Sequence, residues 1–199
     1  MSSSQTNICN AAIMLCGVGV EIASIDERSP EAEACKQFYD PTLERLAVKL
    51  KLPEMTKRVA LALVESDPSD EFSSSWAVPS DCIAPLKIVS GLIPETTDSH
   101  IPFKRINKGG VDVIWTNEDD AQLEYIFSPT DEGQFPVLFA EALEFALAVK
   151  IAPRLCEDPS KLAPLVKYLG DEAKTSARAA SLNQHYPGKP PESEFIRNR

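Results

Sequence analysis

Histidine is almost missing from this chain: two in 199 residues, His100 and His185, both in polar surroundings. Neither fits a nucleophile-base-acid triad, and neither stands at zinc-ligand spacing from a cysteine. Runs of eighteen apolar residues are absent too, so no segment reads as a membrane span. Met1-Ser2-Ser3-Ser4-Gln5 has neither the basic start nor the apolar stretch of a secretion signal, and the expectation is a protein made and kept in a cytoplasm. Gly-x-Gly-x-x-Gly and Gly-Lys-Ser/Thr do not occur, and Gly109-Gly110, with no helix after it, reads as a hairpin turn. Glu118-Asp119-Asp120 lacks the alternating acidic layout and distal glutamate of a calcium loop. The five cysteines, Cys9, Cys16, Cys35, Cys82 and Cys156, include no Cys-x-x-Cys. Cys9, Cys16 and Cys35 sit in apolar helical patterns, which reads as buried reduced thiols. No cofactor, metal or catalytic residue is expected.

What the chain does have is acid, unevenly placed. Residues 61–135 hold 4 basic and 14 acidic side chains, a balance of 4 − 14 = −10, which equals the formal charge of the whole chain. Such a segment repels phosphate, so sequence-specific DNA binding is not expected, whereas a wall past which DNA slides without sticking is compatible with it.

Periodicity divides the chain. Thr6 or Asn7 is placed to cap a short helix on Ile8, Ala12 and Leu15 that Gly17 stops. Ser29-Pro30, with Glu31 and Glu33 in the first turn, starts a long helix through Leu50, with a kink or restart anticipated at Asp40-Pro41. From residue 57 the pattern turns to strand: 57–64, Trp76 to Val78, Pro85 to Val89, Phe103 to Ile106, Val111 to Thr116 and Gln122 to Phe127. The last three read as an antiparallel meander with Val111, Val113, Trp115, Leu123, Tyr125 and Phe127 on a buried face and Asp112 and Glu124 on the other. Trp76 and Trp115 read as core. Pro136 opens a helix, apolar nearly all round, that Pro153 closes, and an amphipathic helix covers about Ser160 to Leu182. Residues 183–199 contain three prolines and too little apolar matter to fold alone, and read as an extended arm.

The fold class expected is therefore α+β: N- and C-terminal helices packed as a helical bundle (1–56 plus 136–182), an inserted antiparallel β module (57–135) and an extended C-terminal arm (183–199).

The order of Ile8-Cys9-Asn10-Ala11-Ala12, Leu15-Cys16-Gly17, Ile22-Ala23-Ser24-Ile25-Asp26 and Phe38-Tyr39-Asp40 resembles the opening of the head-to-tail connector proteins of short-tailed bacteriophages, also called adaptors or tail tubular protein A. The likeness continues at Lys57-Arg58-Val59-Ala60-Leu61-Ala62, Trp76-Ala77-Val78-Pro79-Ser80-Asp81-Cys82, Phe135, Phe139-Ala140-Glu141-Ala142-Leu143 and Ile151-Ala152-Pro153-Arg154-Leu155. The family usually places an aromatic cluster after the second helix, where this chain has Leu52-Pro53-Glu54-Met55-Thr56.

The resemblance implies a structural virion protein, made in the host cytoplasm. Its subunits would form a ring, commonly of twelve, between the portal protein and the tail nozzle protein, and extend the channel through which double-stranded DNA passes without specific binding. No membrane partner is expected. In that picture the arm engages the portal through Tyr186, Phe195, Ile196, Arg197 and Arg199. Subunits meet around Lys167, Lys174 and Arg178, and an acidic channel or nozzle face carries Asp112, Glu118, Asp119, Asp120 and Glu124. Two other classes stay open on the residues alone: a small intracellular enzyme with Cys35 or Cys82 as nucleophile, and a dimeric binding module with a regulatory tail.

Overall fold

The computed structural model describes residues 4–66, 68–90, 101–127, 135–156 and 159–182, and within them the chain is an α+β protein with four α-helices and two antiparallel sheets. His100, His185 and all five arm residues fall outside the described residues.

Helix α1 (Gln5–Leu15) is capped one turn earlier than the sequence suggests, by Ser4, whose hydroxyl accepts the Asn7 N–H at 3.2 Å. Gly17, at φ 80°, ends it where a side chain would be strained. Ser29 caps helix α2 (Pro30–Leu50) by accepting from the Ala32 N–H, with Glu31 and Glu33 against the positive end of the dipole. The anticipated interruption at Pro41 does not break α2, which is continuous to Leu50. A proline forfeits one backbone donor, and the buried stripe Ala32, Cys35, Tyr39, Leu43, Leu46 and Ala47 holds the helix on either side of it. Helix α3 (Val137–Leu155) likewise runs through Pro153, because a proline in the last turn sacrifices a single bond. The Cys156 N–H then closes the helix on the Ala152 carbonyl. Helix α4 (Pro159–Leu182) lies along α3, and both α1 and α2 also pack on α3. Helix α3 is thus central, as its apolar circumference requires.

The corner after α2 is closed without an aromatic cluster. A single 3-10 turn, Pro53–Met55, tucks Leu52 and Met55 into the helical core.

The strands are β1 (Thr56–Ala60), β2 (Leu63–Ser66), β3 (Ser74–Ala77), β4 (Cys82–Ser90), β5 (Phe103–Lys108), β6 (Val111–Thr116) and β7 (Ala121–Phe127). The expected meander is not what forms. Strand β7 leaves β6 and joins the sheet β1-β7-β4, while β6 lies in the sheet β2-β3-β6-β5. The reason is that the expected strand 57–64 is two strands. Leu61 donates its N–H to Ala121 on β7, whereas Ala62 accepts from Ala77 on β3, so the chain crosses from one sheet to the other at that step.

At the opposite margin β4 meets the residues leading into β5 through the isolated Ile88–Ile101 bridge, and Arg105 of β5 donates from its guanidinium to the Ile83 carbonyl of β4. Joined at both margins, the sheets curl into a small barrel filled by Leu61, Trp76, Ile88, Ile114, Ala121, Leu123 and Tyr125.

Facing in β6 also differs from the expectation. Ile114, not Val113 or Trp115, fills the barrel; Val111 is exposed, and Trp115 packs outside against Phe72 with ring centroids 6.4 Å apart. Both faces of β6 are apolar, so alternation alone has no power to choose between them. Strand β7 has two buried faces: Leu123 and Tyr125 point into the barrel, and Ile126 on the other side belongs to the helical core with Ile83, Ala84 and Leu86 of β4 packed against it. The helices and the barrel share this wall.

Candidate functional site

Many of the residue blocks that carry the family resemblance turn out to be joints. Asn10 pins the Ile22 loop with two bonds, its side chain accepting the Ile22 N–H at 2.9 Å and donating to the Ile22 carbonyl at 3.0 Å. Arg154 ties the end of α3 to α2, donating to Glu33 at 2.9 Å and to Gln37 at 3.4 Å. Tyr39 is buried in the helical core. Asp81 accepts from both Lys57 and Tyr125, knitting β1 and β7 to the turn before β4. None of the three joints made by Asn10, Arg154 and Asp81 is readable from spacing, since the partners lie 12 to 121 residues apart in the chain.

The three side chains expected at a subunit interface share one helix and the same solvent side of it. Lys167, Lys174 and Arg178 on α4 are all exposed, while Leu169, Ser176, Ala177 and Ala180 face inward. Lys174 pairs with Asp171 one turn earlier, a contact that exposure makes weak. Lys174, Thr175, Arg178 and Ala179 line an open depression of about 390 Å³. Tyr168, more than half exposed beside Lys167, is a large side chain on this same surface that the charge pattern did not single out. Ser176 donates to Glu141 of α3, which sets the end of α4 beside the start of α3.

The expected acidic face is spread over two sheets. Glu124, on the outward side of β7, is met by Arg58 at 2.8 Å and Lys87 at 3.7 Å. Asp112, on β6, is met by Arg105 and by the Asn107 amide, and these hydrogen bonds hold its carboxyl below the usual range. Glu118 accepts from the Ser90 hydroxyl at 2.6 Å, while Asp119 and Asp120 stand exposed in the turn between β6 and β7. Asp112 lies near the start of β6, whereas Glu118 lies beyond its end at Thr116, so the two are separated by most of the strand. The net negative field is therefore carried by exposed turn residues, and the strand carboxylates are locally neutralised.

For the nucleophile reading the relevant facts are burial and thiol acidity. Cys35 is fully buried; its thiol is lowered by a hydrogen bond with Cys9, against burial, which acts in the other direction. Cys16 is pushed up to about 12 by burial, and its thiol donates to the Ala148 carbonyl. Burial also raises Cys82. No group of three His, Cys, Asp or Glu among the described residues is arranged to hold a metal ion, and no helix among them is long and apolar enough to cross a membrane.

No family model matches this chain, and no curated protein matches it at a significant level.

Proposed function

We propose that this chain is the repeating subunit of a head-to-tail adaptor ring, seated between a portal and a tail nozzle and lining the passage for double-stranded DNA. The observation that carries the reading is the ordered series of residue blocks from Ile8 to Leu155 that resembles this family. Their roles in the fold support it, because Asn10, Asp81 and Arg154 join elements and Tyr39 fills the helical core, uses that account for those residue types without chemistry on a substrate.

A ring requires two unlike faces on each copy. One is supplied by α4, with Lys167, Tyr168, Lys174 and Arg178 exposed; the acidic module, with Asp119 and Asp120 bare, offers opposite charge. The arm from 183, with Tyr186, Phe195, Ile196, Arg197 and Arg199, attaches to the portal in this reading, and twelve such arms acting together hold firmly even if each is weak.

The test is mass measurement and negative-stain imaging of the purified protein with and without portal rings. A ring of about twelve copies stacked on the portal is the expected result; a protein that stays a monomer or closed dimer in the presence of portal overturns the proposal.

A further inference from the structure

Ser75 on β3 and Trp115 on β6 are direct cross-strand partners, in a pairing from Ser74–Thr116 to Ala77–Val113 that runs without a register shift. Residues opposite one another on antiparallel strands point to the same face, with Cβ atoms about 5 Å apart. Trp76 and Ile114, the next pair along, fill the barrel, so Ser75 and Trp115 share the outer face of the sheet. Ser75 is fully buried there. Trp115 is half-buried, but its indole N–H is sealed from solvent, and so is the Ser75 hydroxyl. Neither has a hydrogen-bond partner among the described residues. Two such groups side by side are uncommon, because each has lost its hydration without replacement.

The pair lies beneath a fixed cover. Phe72 packs on Trp115 with ring centroids 6.4 Å apart, and it stands two residues before β3, so the indole leans toward β3 and Ser75. The loop that carries Phe72 is held on both sides of it. Asn117, just beyond β6, accepts the Ser73 N–H at 2.8 Å and donates to the Glu71 carbonyl at 3.3 Å. The Ser69 hydroxyl accepts the Phe72 N–H at 3.1 Å.

We infer that Ser75 Oγ and Trp115 Nε1 hold one structural water molecule between them, under Phe72. The chemistry of the two groups selects this ligand. An indole N–H only donates, which excludes a metal cation, and neither side chain carries charge to balance a buried anion. A larger molecule has no entry, since both atoms are inaccessible from solvent. The two groups do not bond each other either. Water accepts from the indole and donates to the hydroxyl oxygen, which gives it the two polar partners that a buried water needs. Immobilising one water costs less than leaving both groups unpaired. The water thus adds a tie between β3 and β6 on the face where the Phe72 loop docks.

The inference goes beyond the adaptor reading and does not rest on it. Crystal structures of the parent and of Ser75→Ala test it, together with magnetic relaxation dispersion of the water oxygen on both proteins and on Trp115→Phe. The parent should show a water within hydrogen-bond distance of both atoms. Each variant leaves that water a single partner, so each should hold one long-lived water fewer than the parent. Equal numbers of long-lived waters in the three proteins overturn the inference. A parent structure in which the Ser75 hydroxyl and the indole N–H bond each other, or bond another part of the chain, overturns it as well. Neither measurement involves portal or ring, so failure here and failure of the adaptor reading are separable.

Discussion

The Tyr125 hydroxyl, at the end of a side chain buried in the barrel, donates to the Asp81 carboxylate at 2.8 Å, and Lys57 holds the other oxygen of that carboxylate at 2.9 Å. One carboxylate thus fastens the barrel interior to β1 and to the turn before β4.

This junction makes stability depend on pH at both ends of the scale. The Lys57 hydrogen bond, aided by Tyr125, lowers Asp81 from its ordinary 3.8. A lowered folded value means stabilisation is present above about 3.8 and lost as pH falls through the folded value. Tyr125 is pushed up to about 12, by burial first and by the Asp81 carboxylate second. Its contribution is complete below the ordinary 10 and lost as pH rises through about 12. Tyr125→Phe should cost about 1 kcal/mol at pH 7, discounted for the partial exposure of Asp81. Urea unfolding at pH 3, 7 and 11 checks this: Asp81→Asn must lose less between pH 7 and 3 than the parent does.

Glu144→Gln should stabilise the protein at neutral pH. Burial raises the Glu144 carboxyl, and Glu141 one turn away adds to the effect. A carboxyl with a raised folded value favours folding only once protonated, so ionised Glu144 works against the fold at pH 7. A melting-temperature gain of about 2–4 °C at pH 7, corresponding to about 1 kcal/mol or less, is expected. It should vanish at acidic pH, below the ordinary 4.5, where the parent carboxyl is neutral in both states.

Ile126→Ala and Leu123→Ala test the shared wall. Both side chains are fully buried, on opposite faces of β7. Each truncation should cost about 2–5 kcal/mol. Because one strand serves both cores, helical and barrel probes should unfold together in each variant. Separate transitions for far-ultraviolet dichroism and tryptophan fluorescence would show that the cores are independent.

Thiol labelling distinguishes the nucleophile reading. Cys9, Cys16 and Cys35 are buried, Cys82 and Cys156 half-buried. Iodoacetamide on native protein at pH 7 should leave the first three unmodified over minutes and modify all five after urea unfolding. Rapid, selective labelling of Cys35 in the native state would favour an enzyme over an adaptor, because a working nucleophile must be reachable as thiolate.

The helices were legible because each carries its own punctuation and period. Ser29-Pro30, the acids of the first turn and the stripe from Ala32 to Ala47 specify α2 through contacts three and four residues apart. The acidic balance of residues 61–135 was countable, but which acids stay bare was not. Glu124 meets Arg58 and Lys87 only because β7 runs between β1 and β4, a pairing across 66 residues in the case of Arg58.

By itself, then, the sequence determined an α+β chain with a strand-rich acidic middle, three thiols on apolar helix faces and residue types suited to joints, since local propensity and side-chain period are properties of short segments. Tertiary structure alone decided that residues 56–66 are divided between two sheets, that Ile114 rather than Trp115 faces the barrel, and that Leu63 and Val64 are left bare. Strand partners are chosen by competition among edges distant in the chain. Where both faces of a strand are apolar, as in β6, only that competition fixes which one is buried.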